Sequence, residues 1–171
     1  ALACGDAMIL KPSELTPLSA MRTAELLRDA GLPDGLFQVV NGAKPVVEAI
    51  CDHPGIDAVS FVGSTKVARR VYARSAAAGK PVLAMGGAKN HLVVLPDADV
   101  AMTAQNVVAS FTGCAGQRCM AASALLALPG TDDIVEAIAA EAARIRTGID
   151  MGPVISAAAK KRIQDIIDDA E

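Results

Sequence analysis

The sequence Ala58-Val59-Ser60-Phe61-Val62-Gly63-Ser64-Thr65 predicts a buried strand that passes directly into a helix. Its apolar run is short and continuous, as in strands that are covered on both faces. A helical pattern follows from Lys66 to Ala77, and a second apolar run, Pro81 to Met85, predicts the next strand. Strand, helix and strand at this spacing are typical of a right-handed parallel unit. The stretch therefore predicts an α/β fold.

The same alternation of strands and helices extends along the rest of the chain. Apolar runs predict four more strands, at residues 7–10, 36–40, 91–95 and 124–128. Amphipathic patterns predict further helices at residues 17–30, 45–51, 100–111, 132–145 and 157–167. We expect Thr16 to cap the first of these helices, Pro17 to start it and Gly31 to end it. This order predicts an open, mostly parallel, doubly wound sheet with the strand carboxyl ends on one rim.

Composition and charge argue against two classes of protein. The 171 residues carry a net charge of −3 and contain no basic cluster, which argues against a nucleic-acid-binding surface. No apolar run approaches the roughly 18 residues that a membrane span requires. With 52% apolar and only 2% aromatic residues, the sequence is typical of a tightly packed α/β protein.

The cysteines and histidines do not form a metal-binding pattern, so no metal site is predicted. The four cysteines, Cys4, Cys51, Cys114 and Cys119, contain no CxxC pair. The two histidines, His53 and His91, do not lie at a metal-ligand spacing from them. A disulfide between Cys114 and Cys119 is conceivable on spacing, but it would consume a candidate nucleophile. Free cysteines predict a reducing compartment, the cytoplasm.

Polar residues and glycines follow the predicted strands at the rim where ligands of parallel sheets bind. Lys11, Ser13 and Glu14 follow the first strand, and Gly63 and Ser64 follow the third. There, glycine permits close approach, serine can cap the next helix, and free N–H groups favour a phosphate. An ordinary capped helix start explains the same residues equally well. A GxGxxG sequence follows none of the strands, so the usual dinucleotide fingerprint is absent.

A second candidate site is the Cys119 loop, residues 112–121, which follows an apolar helical run. It reads Thr-Gly-Cys-Ala-Gly-Gln-Arg-Cys-Met-Ala. The positive charge of Arg118 beside Cys119 favours the thiolate, which is the nucleophilic form of cysteine. The glycines let the backbone approach a bound carbonyl group, and a nearby N–H can then hold an oxyanion. The alternative is a buried cysteine with a structural role.

Five motifs in one order make the sequence resemble the aldehyde dehydrogenase superfamily. They are Leu10-Lys11-Pro12-Ser13-Glu14, Gly31-Leu32-Pro33-Asp34-Gly35, Phe61-Val62-Gly63-Ser64-Thr65, Gly86 to Asn90 and Gly116-Gln117-Arg118-Cys119. Each motif alone is weakly specific, but five in register across most of the chain are strong. The last two are most similar to the CoA-acylating methylmalonate-semialdehyde (malonate-semialdehyde) dehydrogenase branch. In that branch the glycine motif ends in Gly-Ala-Lys-Asn-His, and Arg precedes the cysteine.

The resemblance implies a Rossmann-like NAD-binding domain and the beginning of a second α/β domain. Residues 1–112 would form most of the NAD-binding domain. Residues 113–171 would form the N-terminal part of the catalytic domain, which carries the nucleophilic cysteine. In the first domain, the cofactor-binding residues would be Lys11, Ser13, Glu14, Gly63 and Ser64.

The same resemblance assigns roles within these sites. Lys11 and Glu14 would bind the adenine ribose hydroxyls, and Glu14 would favour NAD over NADP because a 2′-phosphate would meet its charge. Gly63 and Ser64 would contact the pyrophosphate. Cys119 would attack the aldehyde, with its own backbone N–H directed at the developing oxyanion.

The substrate and the acyl acceptor also follow from the resemblance. Arg118 would bind the carboxylate of malonate or methylmalonate semialdehyde. The Cys119 thioester would then pass its acyl group to CoA, with loss of the substrate carboxylate as CO2. Many hydrolytic members have a Glu where this chain has Ala84. Because that Glu activates water, its absence fits transfer to a thiol instead.

Two further departures from the family pattern concern loops. Both Gly86 and Gly87 precede Ala88, which is one residue more than the glycine motif is expected to have, and residues 147–152 are shorter than the usual family loop. Family members also carry an earlier Trp-Asn segment and a later segment with a cofactor-binding Glu and oligomerisation strands. We therefore expect the full-length enzyme to be a homo-oligomer and these 171 residues alone to be inactive. The alternatives are a hydrolytic NAD(P)-dependent aldehyde dehydrogenase and a catalytically inactive nucleotide-binding fragment.

Overall fold

The structure, a computed structural model, describes residues 1–170 and has the predicted α/β fold. The described residues contain six strands: β1 (Met8–Leu10), β2 (Phe37–Val39), β3 (Val59–Val62), β4 (Val82–Met85), β5 (Asn90–Val94) and β6 (Ala122–Ala127). The helices are α1 (Leu18–Asp29), α2 (Lys44–Asp52), α3 (Thr65–Ala77), α4 (Val100–Thr112), α5 (Asp132–Ala142) and α6 (Ala157–Ala170). Every predicted strand and helix is therefore present.

The strands form parallel pairs, which confirms the predicted parallel pairing, although in the described residues the pairs are three separate two-stranded sheets rather than one open sheet. β1 pairs with β2, β3 with β4, and β5 with β6, and all three ladders are parallel. One helix joins the two strands of each pair: α1, α3 and α4 respectively. Each pair is therefore a strand–helix–strand unit of the kind that the spacing predicts.

The chain divides into two compact units. The first contains residues 1–87, and the second begins at Ala88 and continues to the end of the described chain. The predicted functional domains, 1–112 and 113–171, have a different boundary. That assignment concerns function and stays a prediction.

The core of the first unit lies where α2 and α3 cover β3 and β4. Its most buried side chains are Cys51, Val59 and Val71, and Cys51 is only 1% exposed. Arg74 on α3 binds Asp52 on α2 through its Nε at 2.7 Å and also pairs with Glu48. The two helices are therefore joined by apolar packing inside and by ion pairs outside.

The core of the second unit lies between α4, α5 and the β5–β6 pair. Its buried members are all aliphatic: Val94, Ala104, Val107, Val108, Ile134 and Ile138. Ile134 is 1% exposed, whereas Glu141 and Arg144 on the same helical segment pair at the surface at 2.9 Å. The packing fixes α4, whose end leads into the Cys119 loop.

Three predicted helix ends are wrong; one is the end of α6, which continues to Ala170 rather than stopping at residue 167. Thr16 does not cap α1, because its N–H donates to the Ser13 carbonyl at 3.2 Å and belongs to the preceding turn. Pro17 is the N-cap, and its carbonyl accepts the N–H of Met21. The helix α5 ends at Ala142 rather than Ile145. The N–H of Ile145 bonds only three residues back, to Ala142, so the chain tightens there before it leaves the helix.

The described residues contain free cysteines, no group of candidate metal ligands and no helix that could span a membrane. All four cysteines are free thiols. Within residues 1–170, side chains of His, Cys, Asp and Glu do not come together in groups of three that could hold a metal ion. Over the same residues, each helix is too short or too polar to cross a membrane.

Candidate functional site

The turn after β1 brings Lys11, Ser13 and Glu14 together. The Lys11 ammonium and the Glu14 carboxylate form an ion pair at 3.0 Å. The Ser13 hydroxyl accepts the N–H of Leu15 at 3.3 Å, which closes the turn. The backbone N–H of Glu14 and the Lys11 ammonium hold the pKa of the Glu14 carboxyl below its usual range. Glu14 is therefore an anion with part of its surface free, since its side chain is 55% exposed.

The segment after β3 leads directly into α3. Ser64 occupies the N-cap position, and its carbonyl accepts the N–H groups of Val67 and Ala68 at 2.9 and 2.8 Å. The prediction that the Ser64 side chain caps the helix is wrong, because its hydroxyl makes no capping hydrogen bond in the described structure. The first N–H groups of α3 are therefore open to an anion.

Thr65 connects the start of α3 to the glycine motif, a contact that was not predicted from the sequence. The Gly87 N–H donates to the Thr65 hydroxyl at 3.0 Å. A side chain at Gly86 would lie 2.8 Å from the same hydroxyl, so the close approach requires glycine at that position. The glycine at position 86 thus has a structural reason, because it provides the space beside Thr65.

The Cys119 loop begins with a left-handed turn. After α4 ends, Cys114, Ala115 and Gly116 have φ angles of 52°, 53° and 72°. Left-handed backbone costs roughly 1–2 kcal/mol for a residue with a side chain, so two such residues in succession require support from their surroundings. One support is Gln117, whose side-chain N–H donates to the Cys114 carbonyl at 2.8 Å. The side-chain oxygen of Gln117, Oε1, accepts the N–H of Ile155 at 2.8 Å.

Arg118 binds the end of the helix that precedes it. Its Nη2 donates to the carbonyls of Ala109 and Ser110 at 2.8 and 3.0 Å. The guanidinium lies over Gly113, where any side chain would overlap it. The Ala109 carbonyl also accepts the N–H of Gly113, the C-cap residue, so Arg118 adds a second hydrogen bond there. A cation beside the last carbonyls of a helix is favourable, so Arg118 stabilises the C-terminus of α4. The structure thus gives this guanidinium a role beyond the two that the sequence predicts.

Asn90, at the start of β5, binds the backbone around Cys119. Its Nδ2 donates to the Cys119 carbonyl at 2.6 Å and to the Ala121 carbonyl at 2.9 Å. The Ser110 hydroxyl accepts the next N–H, that of Ala122, at 3.1 Å. Asn90 belongs to the glycine motif, but the sequence alone predicts no role for its side chain. Its position, an amide side chain directly after a glycine-rich turn, is the signal that could have identified it.

Cys119 itself is exposed, as is Cys114. The alternative of a buried structural thiol does not apply to Cys119, and Cys51 is the cysteine that fits that description. The thiol thus lies at the surface of the second unit, on a loop that is attached to α4 by the Arg118 side chain and to the start of β5 by the Asn90 side chain. An accessible thiol on a fixed backbone is suited to attack on a bound electrophile.

Comparison with known proteins places this geometry in a family. The model of the aldehyde dehydrogenase family matches residues 1–171. Malonate-semialdehyde dehydrogenase 1 of Geobacillus thermodenitrificans (strain NG80-2) is 45% identical over 175 residues, which covers 98% of this chain and 36% of that protein. Malonate-semialdehyde dehydrogenase 2 of the same strain is 48% identical over 169 residues, covering 95% of this chain and 35% of that protein.

Solved structures give the same result. A protein named as a methylmalonate-semialdehyde dehydrogenase, from Sinorhizobium meliloti 1021 and in complex with NAD, superposes with a TM-score of 0.85 at 44% identity. The methylmalonate-semialdehyde dehydrogenase DddC from Oceanimonas doudoroffii superposes with a TM-score of 0.85 at 38% identity. Each comparison covers 98% of this chain and 36% of the other. The chain thus spans about a third of the length of the relatives that it matches.

Proposed function

Because this chain belongs to the aldehyde dehydrogenase family, we propose that it carries the NAD site and the nucleophilic thiol of a CoA-acylating semialdehyde dehydrogenase. The substrate is a short aldehyde with a carboxylate, malonate or methylmalonate semialdehyde. The observation that carries the proposal is the exposed Cys119 on a loop fixed from both sides. The relatives named as malonate-semialdehyde dehydrogenases support the substrate class.

The first unit has the features that NAD requires. The N–H groups at the start of α3 are open to a diphosphate. Gly63 precedes them, and its missing side chain leaves room for the Phe61 ring. Glu14 is ionised and partly exposed, so its carboxylate can accept hydrogen bonds from ribose hydroxyls. Lys11 holds that carboxylate in place at 3.0 Å. NAD, when bound, supplies the acceptor for the hydride that the oxidation releases.

Cys119 performs the covalent chemistry. Its thiolate forms a C–S bond to the aldehyde carbon while the carbonyl electron pair moves onto oxygen, where the Cys119 backbone N–H stabilises it. Loss of a hydride from that carbon restores the C=O bond and leaves a thioester. The CoA thiol, as a thiolate, then attacks the thioester carbon, and Cys119 departs as a thiolate. The acyl group ends on CoA, and the enzyme is regenerated.

Arg118 binds the substrate carboxylate in this proposal. A guanidinium can hold a carboxylate by two parallel hydrogen bonds along either of two edges, and both edges include Nη2. In the structure Nη2 donates to the Ala109 and Ser110 carbonyls. One hydrogen bond from Nη1 or Nε to the substrate carboxylate leaves the bonds to Ala109 and Ser110 intact. Two parallel hydrogen bonds to the carboxylate would replace at least one of these helix-end bonds.

Ala84 favours CoA over water as the acyl acceptor. It lies in β4 opposite Phe61, and its methyl group cannot remove a proton from water. A thiol is a stronger nucleophile than water and is partly ionised at neutral pH, so it needs less assistance. The competing function is a hydrolytic aldehyde dehydrogenase that uses another base.

The test compares single-cysteine variants of the full-length enzyme. We expect Cys119→Ser to lose turnover while its Kd for NAD stays unchanged, because the activated thiol is gone and the first unit is intact. Cys114→Ser is the matched control, since Cys114 is also exposed and lies in the same loop; it should remain active. Near-normal turnover of Cys119→Ser would refute the proposal.

Product analysis then separates the competing functions. With malonate semialdehyde, we expect acyl-CoA when CoA is present and negligible release of free acid when it is not. Acid released at the same rate without CoA would indicate the hydrolytic enzyme. NAD binding without any aldehyde oxidation, in the full-length protein, would indicate an inactive nucleotide-binding protein.

A further inference from the structure

We infer that Asn90 is a positioning residue for Cys119, an inference that rests on the proposed function. Asn90 is the first residue of β5, and Cys119 lies shortly before β6, the strand with which β5 pairs. If the backbone ladder continued past Asn90, backbone groups would bind the carbonyls of the Cys119 loop. Instead, the Asn90 carboxamide donates to both the Cys119 and the Ala121 carbonyl, at 2.6 and 2.9 Å.

The strand pairing is irregular at this point, which supports the inference. Asn90 lies opposite Ala122, but His91 lies opposite Ala124, so Ser123 is unmatched. Such bulges bend a strand and redirect neighbouring groups, and they occur often beside active sites. The side chain of Asn90 thus binds the loop where the regular ladder stops.

The two hydrogen bonds constrain the backbone that carries the thiol. The Cys119 carbonyl belongs to the peptide group between Cys119 and Met120, and the Ala121 carbonyl lies two peptide groups further on. One rigid carboxamide that binds both limits rotation on the carboxyl side of Cys119. On the amino side, Arg118 binds the end of α4. The direction of the Cys119 side chain and N–H therefore depends on Asn90, although Asn90 need not touch the substrate.

The experiment uses the full-length enzyme and three variants. We expect Asn90→Ala to lower kcat by about tenfold or more, since a misdirected nucleophile slows the chemical step, with the Kd for NAD unchanged. Asn90→Asp has nearly the same shape but presents an anion, without donors, to the two carbonyls. Asn106→Asp is the matched control, because Asn106 is exposed on α4 of the same unit; its kcat should stay at the wild-type value.

A pH profile separates positioning from a purely structural contribution. A protonated Asp carboxyl regains one O–H donor, so we expect the ratio of kcat in Asn90→Asp to kcat in Asn90→Ala to rise as the pH falls. We also expect Asn90→Asp to move the pH midpoint of Cys119 alkylation by iodoacetamide upward, because it adds negative charge beside the thiolate. Cys114, mapped in the same sample, should keep its midpoint.

Three results would overturn the inference. They are a kcat within twofold of wild type in Asn90→Ala, a kcat ratio that does not vary with pH, and equal alkylation shifts at Cys114 and Cys119. If Asn90→Ala does not fold, the alkylation profile of Asn90→Asp decides alone. An active Cys119→Ser enzyme would instead refute the proposed function, and the alkylation result would still report on the contact because it needs no turnover.

Discussion

Replacing Arg118 with leucine should destabilise the second unit through the end of α4. Arg118 donates two hydrogen bonds to helix-end carbonyls, at 2.8 and 3.0 Å. Because Arg118 is exposed, we assign each bond only about 0.5–1 kcal/mol, and its charge at the helix C-terminus about 0.3–1 kcal/mol. The expected loss in the free energy of unfolding is therefore about 2 kcal/mol. Urea unfolding followed by circular dichroism measures it.

A control and a double-mutant cycle make this prediction specific. Arg144→Leu removes an arginine that is 77% exposed and pairs with Glu141 three residues away, so it should cost about 0.3 kcal/mol. Gly113→Ala should destabilise the wild type, because the new methyl group overlaps the guanidinium, but have little effect in the Arg118→Leu background. Additive effects of the two substitutions, or equal losses in the two arginine variants, would refute the capping role.

Three more predictions concern the cores and the charges. Ile134→Ala, at a position 1% exposed, should cost about 2–4 kcal/mol in urea unfolding, whereas Ile149→Ala, at a position 73% exposed, should cost under about 0.5. Lys80→Met should cost about 1–2 kcal/mol, because Lys80 donates to the carbonyls of Ile50 and His53 at the end of α2; an unchanged urea midpoint would contradict this. The Arg74 guanidinium lowers the pKa of the Asp52 carboxyl from its usual 3.8. The Asp52–Arg74 pair therefore stabilises the folded state fully above pH 3.8, and this stabilisation is lost as the pH falls through the lowered pKa. Asp52→Asn should flatten the acid side of the stability–pH curve, and parallel curves would show that the pair is unimportant.

The strand–helix alternation was predictable because it depends on local patterns. Apolar runs such as Ala58 to Val62 are bounded by Gly and Pro, and each of these runs became a strand. The turn at Lys11 and Glu14 was predictable for the same reason, since its residues are three apart. The Ser64 capping bond failed as a prediction because position alone does not decide where a hydroxyl points.

The support around Cys119 could not be predicted because it depends on residues far apart in the sequence. Asn90 lies 29 residues before Cys119, whose carbonyl it binds, and Thr65 lies 22 residues before Gly87. The left-handed backbone of Cys114 and Ala115 is equally hidden, because neither is glycine. Arg118 illustrates the limit best. Its proximity to Cys119 suggested only an effect on the thiol or the substrate, whereas its observed partners lie in the preceding helix.

The unmatched Ser123 fixes the length of the chain between the thiol and the core. Side chains alternate between the two faces of a strand, so each inserted or deleted residue exchanges inside for outside. In β6, Leu125 lies opposite Leu92 and packs on the core, while Leu126 lies opposite Val93 and is 50% exposed. Loss of Ser123 would either pull the loop away from Asn90 or turn Leu125 into solvent. Single-residue insertions and deletions between Cys119 and Leu125 should therefore be selected against.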